Sequence, residues 1–524
     1  ARVQASVLSL YDSERLKGPM MKGEETSWDK IDSEIGSKLS GNIRILSSTI
    51  ISPSTKSVIA NFSAKHPGTR HVTYDAVSYH AIAKANNGVI PSYNFDKANV
   101  IVSFAADFLA NWLSPVEYAW QYAQGRKLNN GKETLSKHVQ FETTLSLTGS
   151  NADVRIPVKP SQIGAAAAVL YNAVASLTGG APVSASGNMT DEQKKAIADS
   201  AKWLADNKGR SLVVCGINDE AIQTIVTGIN QMLGNYGQTI DTDNHSNCHQ
   251  GNDERVKNLL EEMKAGKVDA LIVYNANPAY TLPGFADALQ KVKTKISFAA
   301  TMDETASLCD YVCPDHHYLE AWNDALPKKN SFSLAQPTIT PIYNTRSAQE
   351  TLMKWCGMPG DYYSHIQSTW EKLLFPASLG FTEHWNRSLH DGVSEIIPVP
   401  AEMMLGKGEK KPEKKETAKA DTSAVAMVPS EMPEGKTDMI KMSAGEAASV
   451  IAKEKGGDIE LFIYEKTGIG IGNQANNPWL QELPDPISKC TWDNYITMNP
   501  SDMDGKYSLL ERGDYMGDIV KLSV

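Results

Sequence analysis

Short apolar runs alternate with longer amphipathic stretches between about residues 42 and 310. The short runs, many of them rich in β-branched residues, predict strands at 43–46, 71–74, 100–104, 139–147, 212–216, 271–274 and 296–299. The longer stretches predict helices at 56–64, 77–87, 108–124, 163–175 and 219–233. Apolar strands separated by helices are typical of a parallel sheet covered on both faces. The pattern therefore predicts an α/β protein, and its restart favours two such units in tandem.

Two regions beyond residue 400 have a different composition. Residues 405–437 mix lysine with glutamate, alanine and proline and contain almost no large apolar residue. Such a composition cannot bury enough apolar surface to fold, so we interpret it as a charged linker or surface excursion. Apolar runs at 459–464, 495–498 and 519–522 predict strands, which makes the end of the chain mostly β.

The charge balance narrows the classes of partner. The 524 residues include 51 Lys and Arg against 61 Asp and Glu, which gives a net charge of −10. This balance argues against a general nucleic-acid or anionic-membrane binder, because such proteins need a basic face. No run of about 18 apolar residues occurs, so the chain is not expected to span a bilayer by itself. Both ends read as the interior of folded domains, and we expect both to be cut.

The cysteines do not predict a redox centre. They are too few and too scattered for a disulfide framework, at Cys215, Cys248, Cys309, Cys313, Cys356 and Cys490. The sequence lacks the C-x-x-C-x-x-C run of a ferredoxin-type cluster and the C-x-x-C-H motif of covalent haem. If this protein takes part in electron transfer, its thiols supply no obvious path.

Two glycine-containing segments resemble nucleotide-binding loops only weakly. Gly125–Thr134 imitates a phosphate loop, but its glycine spacing is wrong and Glu133 stands where Ser or Thr must bind Mg²⁺, which favours a polar turn. Gly468–Gly472 is not followed by a helix pattern, which favours a tight loop. The sequence also lacks the G-x-S-x-G and H-E-x-x-H motifs of hydrolases. The residues alone therefore predict no catalytic group.

Two clusters contain residue types that bind metals. His245, Cys248 and His249 suit zinc, but no second pair follows at the spacing of a zinc finger, and an ordinary loop is the better interpretation. Cys309 and Cys313 form half a site at most, and structural cysteines at a strand end are the better interpretation. The sequence leaves open whether a metal binds at the first cluster.

Several longer stretches together resemble one family. The sequence around 3–17 is similar to the entry of the large subunit of molybdopterin oxidoreductases. With it, the following stretches resemble the iron–sulfur subunit of alternative complex III, the quinol:electron-acceptor oxidoreductase of some bacteria: Val100–Tyr118, Leu145–Pro160, Asp303–Ala306, Cys309–Trp322, Gln336–Ile339 and Asn477–Pro486. The resemblance covers nearly the whole chain except the linker, and it matches the N-terminal half of that subunit.

The resemblance implies a fold and its division into domains. It implies two Rossmann-like parallel-sheet domains of the molybdopterin oxidoreductase type and a partly complete β-barrel-like domain. The first α/β domain is expected at 1–145 and 314–404, and the second at 146–313. The barrel-like domain is expected at 438–524 and looks truncated at its end.

The resemblance also implies a role in electron transport. The matching half of that subunit is understood to hold no molybdenum cofactor, so we expect no catalytic residue, metal ligand or cofactor in this chain. A scaffold role follows, with [4Fe-4S] or [3Fe-4S] clusters and haem c held by partners. The expected partners are a ferredoxin-like iron–sulfur half or chain, a multihaem cytochrome c and integral membrane quinol-oxidising subunits, with no nucleic acid. The expected location is the periplasmic side of the bacterial inner membrane.

The first part of the expected pterin cleft lies after the second predicted strand. In active relatives the molybdenum ligand, usually Cys, selenocysteine, Ser or Asp, lies near the helix after this strand. This sequence has no cysteine there. Asp75 and Ser78 are ligand types, but neither lies in a recognisable ligand motif. The sequence therefore favours a vestigial cleft.

The second part of the cleft is a pair of turns. Active relatives place a Gly-x-Asn-Pro-like turn after the third strand, where backbone amides approach the pterin phosphates. Here that turn is Ala105-Ala106-Asp107-Phe108, in which Asp107 would repel phosphate and Phe108 is large enough to fill the space. A second such turn is kept better, at Asn275-Ala276-Asn277-Pro278. We expect a collapsed or partly filled cleft.

The sequence leaves two alternatives open. One is an active molybdenum-bis(pterin) oxidoreductase of the polysulfide or thiosulfate reductase type, with an open funnel. The other is an α/β binding module unrelated to respiration, which would be stable and bind a ligand in isolation. Metal analysis and co-purification with membrane haem proteins distinguish them.

Overall fold

The computed structural model describes residues 2–128, 133–185, 187–374, 380–395, 442–507 and 521–522. The predicted linker at 405–437 lies outside the described residues, as does half of the predicted strand at 519–522. Part of the segment that imitates a phosphate loop, residues 129–132, also lies outside them.

Sixteen strands occur within the described residues. They are β1 (Met20–Met21), β2 (Glu24–Glu25), β3 (Ile43–Ser47), β4 (Arg70–Thr73), β5 (Ile90–Tyr93), β6 (Val100–Phe104), β7 (Lys137–Glu142), β8 (Val154–Pro157), β9 (Ser211–Cys215), β10 (Ile240–Ser246), β11 (Ala270–Tyr274), β12 (Thr294–Ser297), β13 (Tyr311–Val312), β14 (Asn323–Lys328), β15 (Ser331–Ala335) and β16 (Val393–Glu395).

The helices of the same residues lie mostly between these strands. They are α1 (Arg2–Ala5), α2 (Trp28–Lys38), α3 (Pro53–Lys65), α4 (His80–Ala85), α5 (Pro115–Gly125), α6 (Leu147–Ser150), α7 (Ile163–Thr178), α8 (Asp191–Asp206), α9 (Glu220–Met232), α10 (Asp253–Lys264), α11 (Pro278–Thr281), α12 (Phe285–Leu289), α13 (Ala348–Cys356), α14 (Tyr362–Leu374), α15 (Phe381–Asp391), α16 (Ala444–Ile451), α17 (Pro478–Gln481) and α18 (Pro500–Tyr507). Short 3₁₀ helices occur at Ser6–Tyr11, Phe95–Lys97, Pro160–Gln162 and Ala306–Leu308.

The first sheet has seven strands in the order β2-β1-β13-β12-β11-β3-β4. Its strands from β13 to β4 are parallel, and Ile45 of β3 lies between Ile272 of β11 and His71 of β4. All five residues of β3 are buried. One apolar core lies on each face of this sheet, one around Phe62 and Trp370 and the other around Leu259 and Phe285. The prediction of a parallel sheet covered on both faces is confirmed here.

The second sheet has four parallel strands in the order β8-β7-β6-β9. The buried residues of β6 alternate between two cores. Val102 and Phe104 pack with α7 and α9, whereas Ile101 packs with the aromatic side chains of α5. This sheet is therefore also covered on both faces, as the apolar strand pattern predicts.

A third, antiparallel sheet was not predicted. Its order is β16-β15-β14-β10-β5. The residues of β10 are mostly polar and partly exposed, so they give no alternating apolar signal in the sequence. The predicted metal-type residue His245 lies in this strand.

The sheets divide the chain differently from the predicted domains. β6 and β7, which fall in the predicted domain 1–145, belong to the second sheet with β8 and β9. β11 and β12, which fall in the predicted domain 146–313, belong to the first sheet, where β11 pairs with β3 and β12 pairs with β11. The first lobe, which is built on the first sheet, is interrupted in the sequence by the second lobe, which is built on the second sheet. Hydrophobic patterning shows where strands are, but it does not show which strands pair.

The end of the chain is less regular than predicted. Among the described residues 442–507, no strand is assigned, and the strands predicted at 459–464 and 495–498 are not formed. α16, which was not predicted, begins with a capping box between Ser443 and Glu446 and packs on α7 and α9. Within the described part of the chain, no helix is both long enough and apolar enough to cross a bilayer.

Candidate functional site

The predicted cleft residues follow the carboxyl ends of β6 and β11, one strand in each parallel sheet. In open α/β sheets, ligands bind beside these ends. Ala105 follows β6 directly with a φ of 52°, and Asn275 follows β11 directly with a φ of 51°. Both residues therefore have the left-handed conformation that allows a sharp turn. The two lobes repeat one turn, as predicted from the two short motifs.

Hydrogen bonds with Thr148 hold the turn after β6 in place. The amide and hydroxyl of Thr148 donate to Asp107 Oδ1, at 3.0 and 2.7 Å. The Thr148 hydroxyl accepts in turn from the amide of Leu109, at 2.9 Å. The Asp107 side chain thus fixes the loop after β6 against the N-terminus of α6.

The turn after β11 is held by the same hydrogen bonds, with Asn277 in the position of Asp107. The amide and hydroxyl of Thr305 donate to Asn277 Oδ1, at 3.2 and 2.7 Å. The Thr305 hydroxyl accepts from the amide of Ala279, at 3.0 Å. The Asn277 amide group also donates to Glu304 Oε2, at 2.6 Å. Asp107 and Asn277 therefore have equivalent positions, and only the first is a carboxylate.

The turn after β6 contains backbone amides without partners. The amides of Ala106, Asp107 and Phe108 have no hydrogen-bond acceptor within the described residues. The next amides, from Ala110 to Trp112, donate to the Asp107 carbonyl at 3.0 to 3.1 Å. Ala106 and Phe108 are 0% exposed, so their amides are not open to a phosphate.

The charge at this turn opposes phosphate. Burial raises the pKa of Asp107, against the opposing effect of its bonds from Thr148, and Glu142 and Asp485 raise it further through their negative charges. Burial raises the pKa of Tyr79, and the negative charges of Glu465 and Asp107 raise that pKa further. The carboxylates would repel the phosphates of a pterin dinucleotide.

Phe108 lies in the core. Its side chain is 0% exposed and stacks on Phe95 with ring centroids 4.3 Å apart. It also contacts the rings of Tyr122 and His138. The prediction that Phe108 fills the cofactor space is therefore corrected, because the ring packs in the core on the face of the second sheet that contains Ile101. Ala106 is likewise fully buried in this core.

The two ligand-type residues after β4 are bonded within the chain. The Asp75 carboxylate accepts from the amide and hydroxyl of Thr49, at 2.9 and 2.5 Å, and from the amide of Gly251, at 2.9 Å. The Ser78 hydroxyl accepts from the amide of His80, at 3.1 Å. Asp75 thus has a structural role in holding the loop before α10 against the loop after β3.

The predicted zinc-type cluster is not assembled as one site. His245 Nδ1 lies 3.3 Å from the Thr242 carbonyl, and His249 Nε2 lies 3.3 Å from the Leu113 carbonyl. Cys248 Sγ faces the Pro327 carbonyl at 4.0 Å. In the part of the chain that the structure describes, no group of three or more His, Cys, Asp or Glu side chains is placed to hold a metal ion.

A segment near the end of the chain runs across both lobes at these carboxyl ends. We name residues 459–472 the crossing segment. At its start, Glu460 accepts from the amide and hydroxyl of Ser161, at 2.8 and 2.9 Å, just beyond β8. In its middle, the Glu465 carbonyl accepts from the Asn111 side chain in the loop after β6, at 3.2 Å.

The crossing segment ends beside the turn of the first lobe. A Cβ atom added at Gly472 would lie 3.2 Å from the Tyr280 ring, which belongs to α11 just after Asn277 and Pro278. Gly468–Gly472 is thus a tight loop, as predicted, and it packs where a ligand of this fold would enter. Carboxylates lie at the turn after β6, and the crossing segment lies beside the turn after β11. This arrangement does not fit a pterin cofactor held by both lobes.

Sequence reasoning missed the two threonine closures and the crossing segment. Thr148 and Thr305 lie within stretches that resemble the family, but no motif indicates their bonds. Aligning the two turns with each other would have paired Asp107 with Asn277. The crossing segment is predicted as strand and loop, and its contacts depend on tertiary packing that periodicity does not encode.

No protein-family model matches the sequence. Among curated proteins, the chain is similar to the "Menaquinone reductase, molybdopterin-binding-like subunit" of Nitratidesulfovibrio vulgaris, with 26% identity over 308 residues. The match covers 51% of this chain and 44% of the relative, so the chain spans less than half the length of that relative.

One solved structure shows the same fold. The chain is similar to acetylene hydratase from Pelobacter acetylenicus with a TM-score of 0.52 and 13% identity, over 74% of this chain and 67% of that one. A weaker likeness, with a TM-score of 0.44 and 12% identity, is to the formyltransferase/hydrolase complex from Methylorubrum extorquens, over 65% of this chain and 98% of that chain. The predicted α/β fold of the molybdopterin oxidoreductase type is confirmed.

Proposed function

We propose that this chain is the molybdopterin-oxidoreductase-like subunit of a membrane-bound respiratory oxidoreductase that acts on a quinone or quinol. The name of the curated relative supports a quinone-linked complex, and the fold supports a subunit of this type. The stretches that resemble alternative complex III, among them Cys309–Trp322 and Asn477–Pro486, favour that complex.

Within the complex, the chain acts as a scaffold without its own molybdenum cofactor. The observation that carries this role is the crossing segment, which hydrogen-bonds to Asn111 and Ser161 in the second lobe and packs beside Tyr280 of the first lobe, at the place where a pterin would enter. The carboxylates of Asp107, Glu465 and Asp485 support it, because they oppose the binding of phosphate.

Electrons pass through centres that the partners hold. The cysteines of this chain form no cluster motif. Iron–sulfur clusters therefore belong to a ferredoxin-like half or chain, and haem c belongs to a multihaem cytochrome. Quinol is oxidised in integral membrane subunits, and this chain lies with its partners on the periplasmic side of the inner membrane.

Metal analysis of the purified assembly tests the scaffold role. We expect iron from clusters and haem, with molybdenum and tungsten far below one atom per chain. The released cofactor fraction should also lack the fluorescence of oxidised pterin. Stoichiometric molybdenum or tungsten together with pterin would overturn the proposal and favour the active oxidoreductase of the polysulfide or thiosulfate reductase type.

A substitution tests the same point through activity. Ser78→Ala should leave quinol oxidation by the assembly unchanged, because the bond that the Ser78 hydroxyl makes within the described residues is a local one, accepted from the His80 amide. If Ser78 were a molybdenum ligand, the substitution would lower the rate by orders of magnitude. The iron content of the variant assembly, measured in parallel, shows whether the assembly is intact.

A further inference from the structure

A small polar cavity lies between α4 and the loop before α10, beside the end of β4. Its volume is about 40 Å³. Since one water molecule needs roughly 10–15 Å³ of such space, the cavity has room for about three or four non-hydrogen atoms. Its lining contains no residue of the turns at 105–108 and 275–278. The cavity is therefore separate from the two turns of the pterin cleft.

His80, the first residue of α4, lines this cavity and has an unmatched ring nitrogen. The residue is 6% exposed, and its Nε2 atom is buried without a hydrogen-bond partner within the described residues. Buried polar atoms in folded proteins nearly always have a partner. The unmatched nitrogen therefore indicates that a molecule in the cavity supplies one.

The His80 ring can donate a hydrogen bond to that molecule. Burial lowers the pKa of His80 below its ordinary value of 6.5, so the ring is neutral at pH 7 and one of its nitrogens carries the hydrogen. No donor within the described residues contacts Nε2, so Nε2 is free to carry it.

The charge at the cavity favours an anion. Of the described residues that line it, Arg255 alone carries a full charge, and none of them is an Asp or Glu. The cavity also lies at the N-terminus of α10, a helix of 12 residues whose N-cap is Asn252. The amides at this end of a helix give it a partial positive charge, which attracts anions.

Two carboxylates in the first turn of α10 have partners of their own. Asp253 Oδ2 accepts from the Asn218 side chain at 3.0 Å, and Glu254 Oε1 accepts from Lys84 Nζ at 2.7 Å. Neither acid lines the cavity, and the Lys84 ammonium offsets part of their charge. An anion in the cavity therefore faces donors and not carboxylates.

The size and the donors together specify the class of ligand. The guanidinium group of Arg255 presents parallel N–H groups, which match the two oxygens of a planar oxyanion. Carbonate and the smallest carboxylates have three or four non-hydrogen atoms and fit the volume, whereas the tetrahedral phosphate and sulfate ions have five.

We propose that this cavity binds a small planar oxyanion, a carboxylate or carbonate of three or four non-hydrogen atoms. Arg255 and the start of α10 attract its charge, and His80 Nε2 donates to one of its oxygens. The inference does not depend on the proposed respiratory function, since it follows from the cavity alone.

A titration of the full chain with acetate at pH 7 tests the proposal. The ring nitrogens of His80 are followed by NMR in chain with ¹⁵N-labelled histidine, and His80→Gln identifies their signals. We expect acetate to shift these signals saturably, with a dissociation constant of roughly 1 mM, because so small a ligand makes few contacts. Acetamide, which has the same shape without the charge, should shift them at least 10-fold more weakly.

Two other outcomes of the titration overturn the proposal. No saturable shift with acetate would mean that water alone fills the cavity. Equal shifts with acetate and acetamide would mean that the site takes neutral polar molecules.

A pair of arginine variants tests where the anion binds. Arg255→Gln should raise the dissociation constant for acetate by roughly 10-fold or more, because the charged donor at the cavity is lost. Arg210→Gln removes the same charge from an exposed position before β9 and should leave the constant unchanged. Thermal unfolding of both variants shows whether they are folded. Equal acetate binding by Arg255→Gln and the wild type would contradict the site, as would equal weakening by both variants.

Discussion

At the scale of single residues, Asp107 and Asn277 show how one structural role is met by two side chains of different charge. Each accepts from the amide and hydroxyl of a threonine, Thr148 or Thr305. The role needs only one acceptor oxygen, which an asparagine also supplies. The negative charge of Asp107 is therefore not required for the fold, and burial disfavours it.

Asp107→Asn should consequently stabilise the protein at neutral pH. The gain in the free energy of unfolding should be modest, about 1 kcal/mol or less, because the bonds from Thr148 remain. Burial raises the pKa of Asp107 above its ordinary value of 3.8. The charged carboxylate therefore lowers the free energy of unfolding at neutral pH, and this effect is lost as the pH falls and the group protonates. The difference between variant and wild type should shrink as the pH falls towards 3.8, which urea unfolding at several pH values measures.

Asp107→Ala is the matched comparison. It removes the acceptor for the amide and hydroxyl of Thr148 and should cost roughly 1–3 kcal/mol, because those groups lose their partner. If Asp107→Asn were as destabilising as Asp107→Ala, the carboxylate itself would be needed, and its equivalence to Asn277 would be wrong.

His138 gives the protein a dependence on pH below neutrality. The side chain is fully buried, and burial lowers its pKa from 6.5 to about 4. The folded state therefore favours the neutral ring, so the unfolded chain binds a proton more readily between those values. The free energy of unfolding should fall as the pH drops from 6.5 to about 4, by roughly 3 kcal/mol from this residue.

His138→Gln isolates this contribution. The ring nitrogens of His138 lie 3.2 Å from the Tyr122 hydroxyl and from Gln140 Oε1, and glutamine keeps a polar group at this position. Urea unfolding between pH 4 and pH 7 should show a shallower dependence for the variant than for the wild type. Identical slopes would mean that His138 does not titrate in this range.

At the scale of elements, the turn after β6 depends on a close approach between two strand ends. A Cβ atom added at Gly216, just beyond β9, would lie 2.3 Å from the Ala105 carbonyl oxygen. The neighbour is backbone at the start of the turn, so it cannot move without shifting β6. Gly216→Ala should lower the free energy of unfolding by roughly 1–3 kcal/mol.

Gly445→Ala in α16 is the control for this prediction. Nothing lies within 4 Å of a Cβ atom added there. Alanine should stabilise the helix by roughly 0.5–1 kcal/mol, because glycine loses more conformational freedom on folding. Opposite signs for the two glycine substitutions in urea unfolding would confirm that the close approach, and not glycine content, determines the effect.

The elements that the sequence predicts well are those with a strong local signal. β6 matches its predicted bounds of 100–104, and the apolar pattern places α7 and α9 correctly. The helix predicted at 108–124 begins only at Pro115, because the preceding residues form a loop whose Leu113 has a positive φ. The strand predicted at 139–147 corresponds to β7, which ends already at Glu142, because Ser146 caps the helix α6.

At the scale of the whole molecule, the sequence indicates the class of the fold but not the pairing of its parts. β3 and β11 are predicted separately as apolar strands, and nothing local shows that they are neighbours across an inserted lobe. The candidate site has the same limit. The two turns are visible as motifs, whereas the path of the crossing segment over them depends on contacts such as Asn111 with Glu465.

The crossing segment should be separable from the two lobes without unfolding them. Its first anchor is the Glu460 carboxylate, which accepts two hydrogen bonds from Ser161. Glu460→Ala removes both bonds and should raise the rate of proteolytic cleavage within 459–472 by roughly 10-fold or more, since a bond to a charged group contributes about 1.5–3 kcal/mol. The free energy of unfolding of the lobes should change little, because their cores do not include Glu460.

Glu482→Ala supplies a matched control for the release of the crossing segment. Glu482 is exposed and follows α17, so its loss should leave the cleavage rate unchanged. The comparison needs limited proteolysis with identification of the cut sites. If Glu460→Ala were cleaved no faster than Glu482→Ala, the contacts at Asn111 and Tyr280 would suffice to hold the segment over both turns. If the Glu460→Ala variant were instead cleaved throughout the lobes, the crossing segment would be part of the folded core, and it could not be released from the two turns without unfolding the lobes.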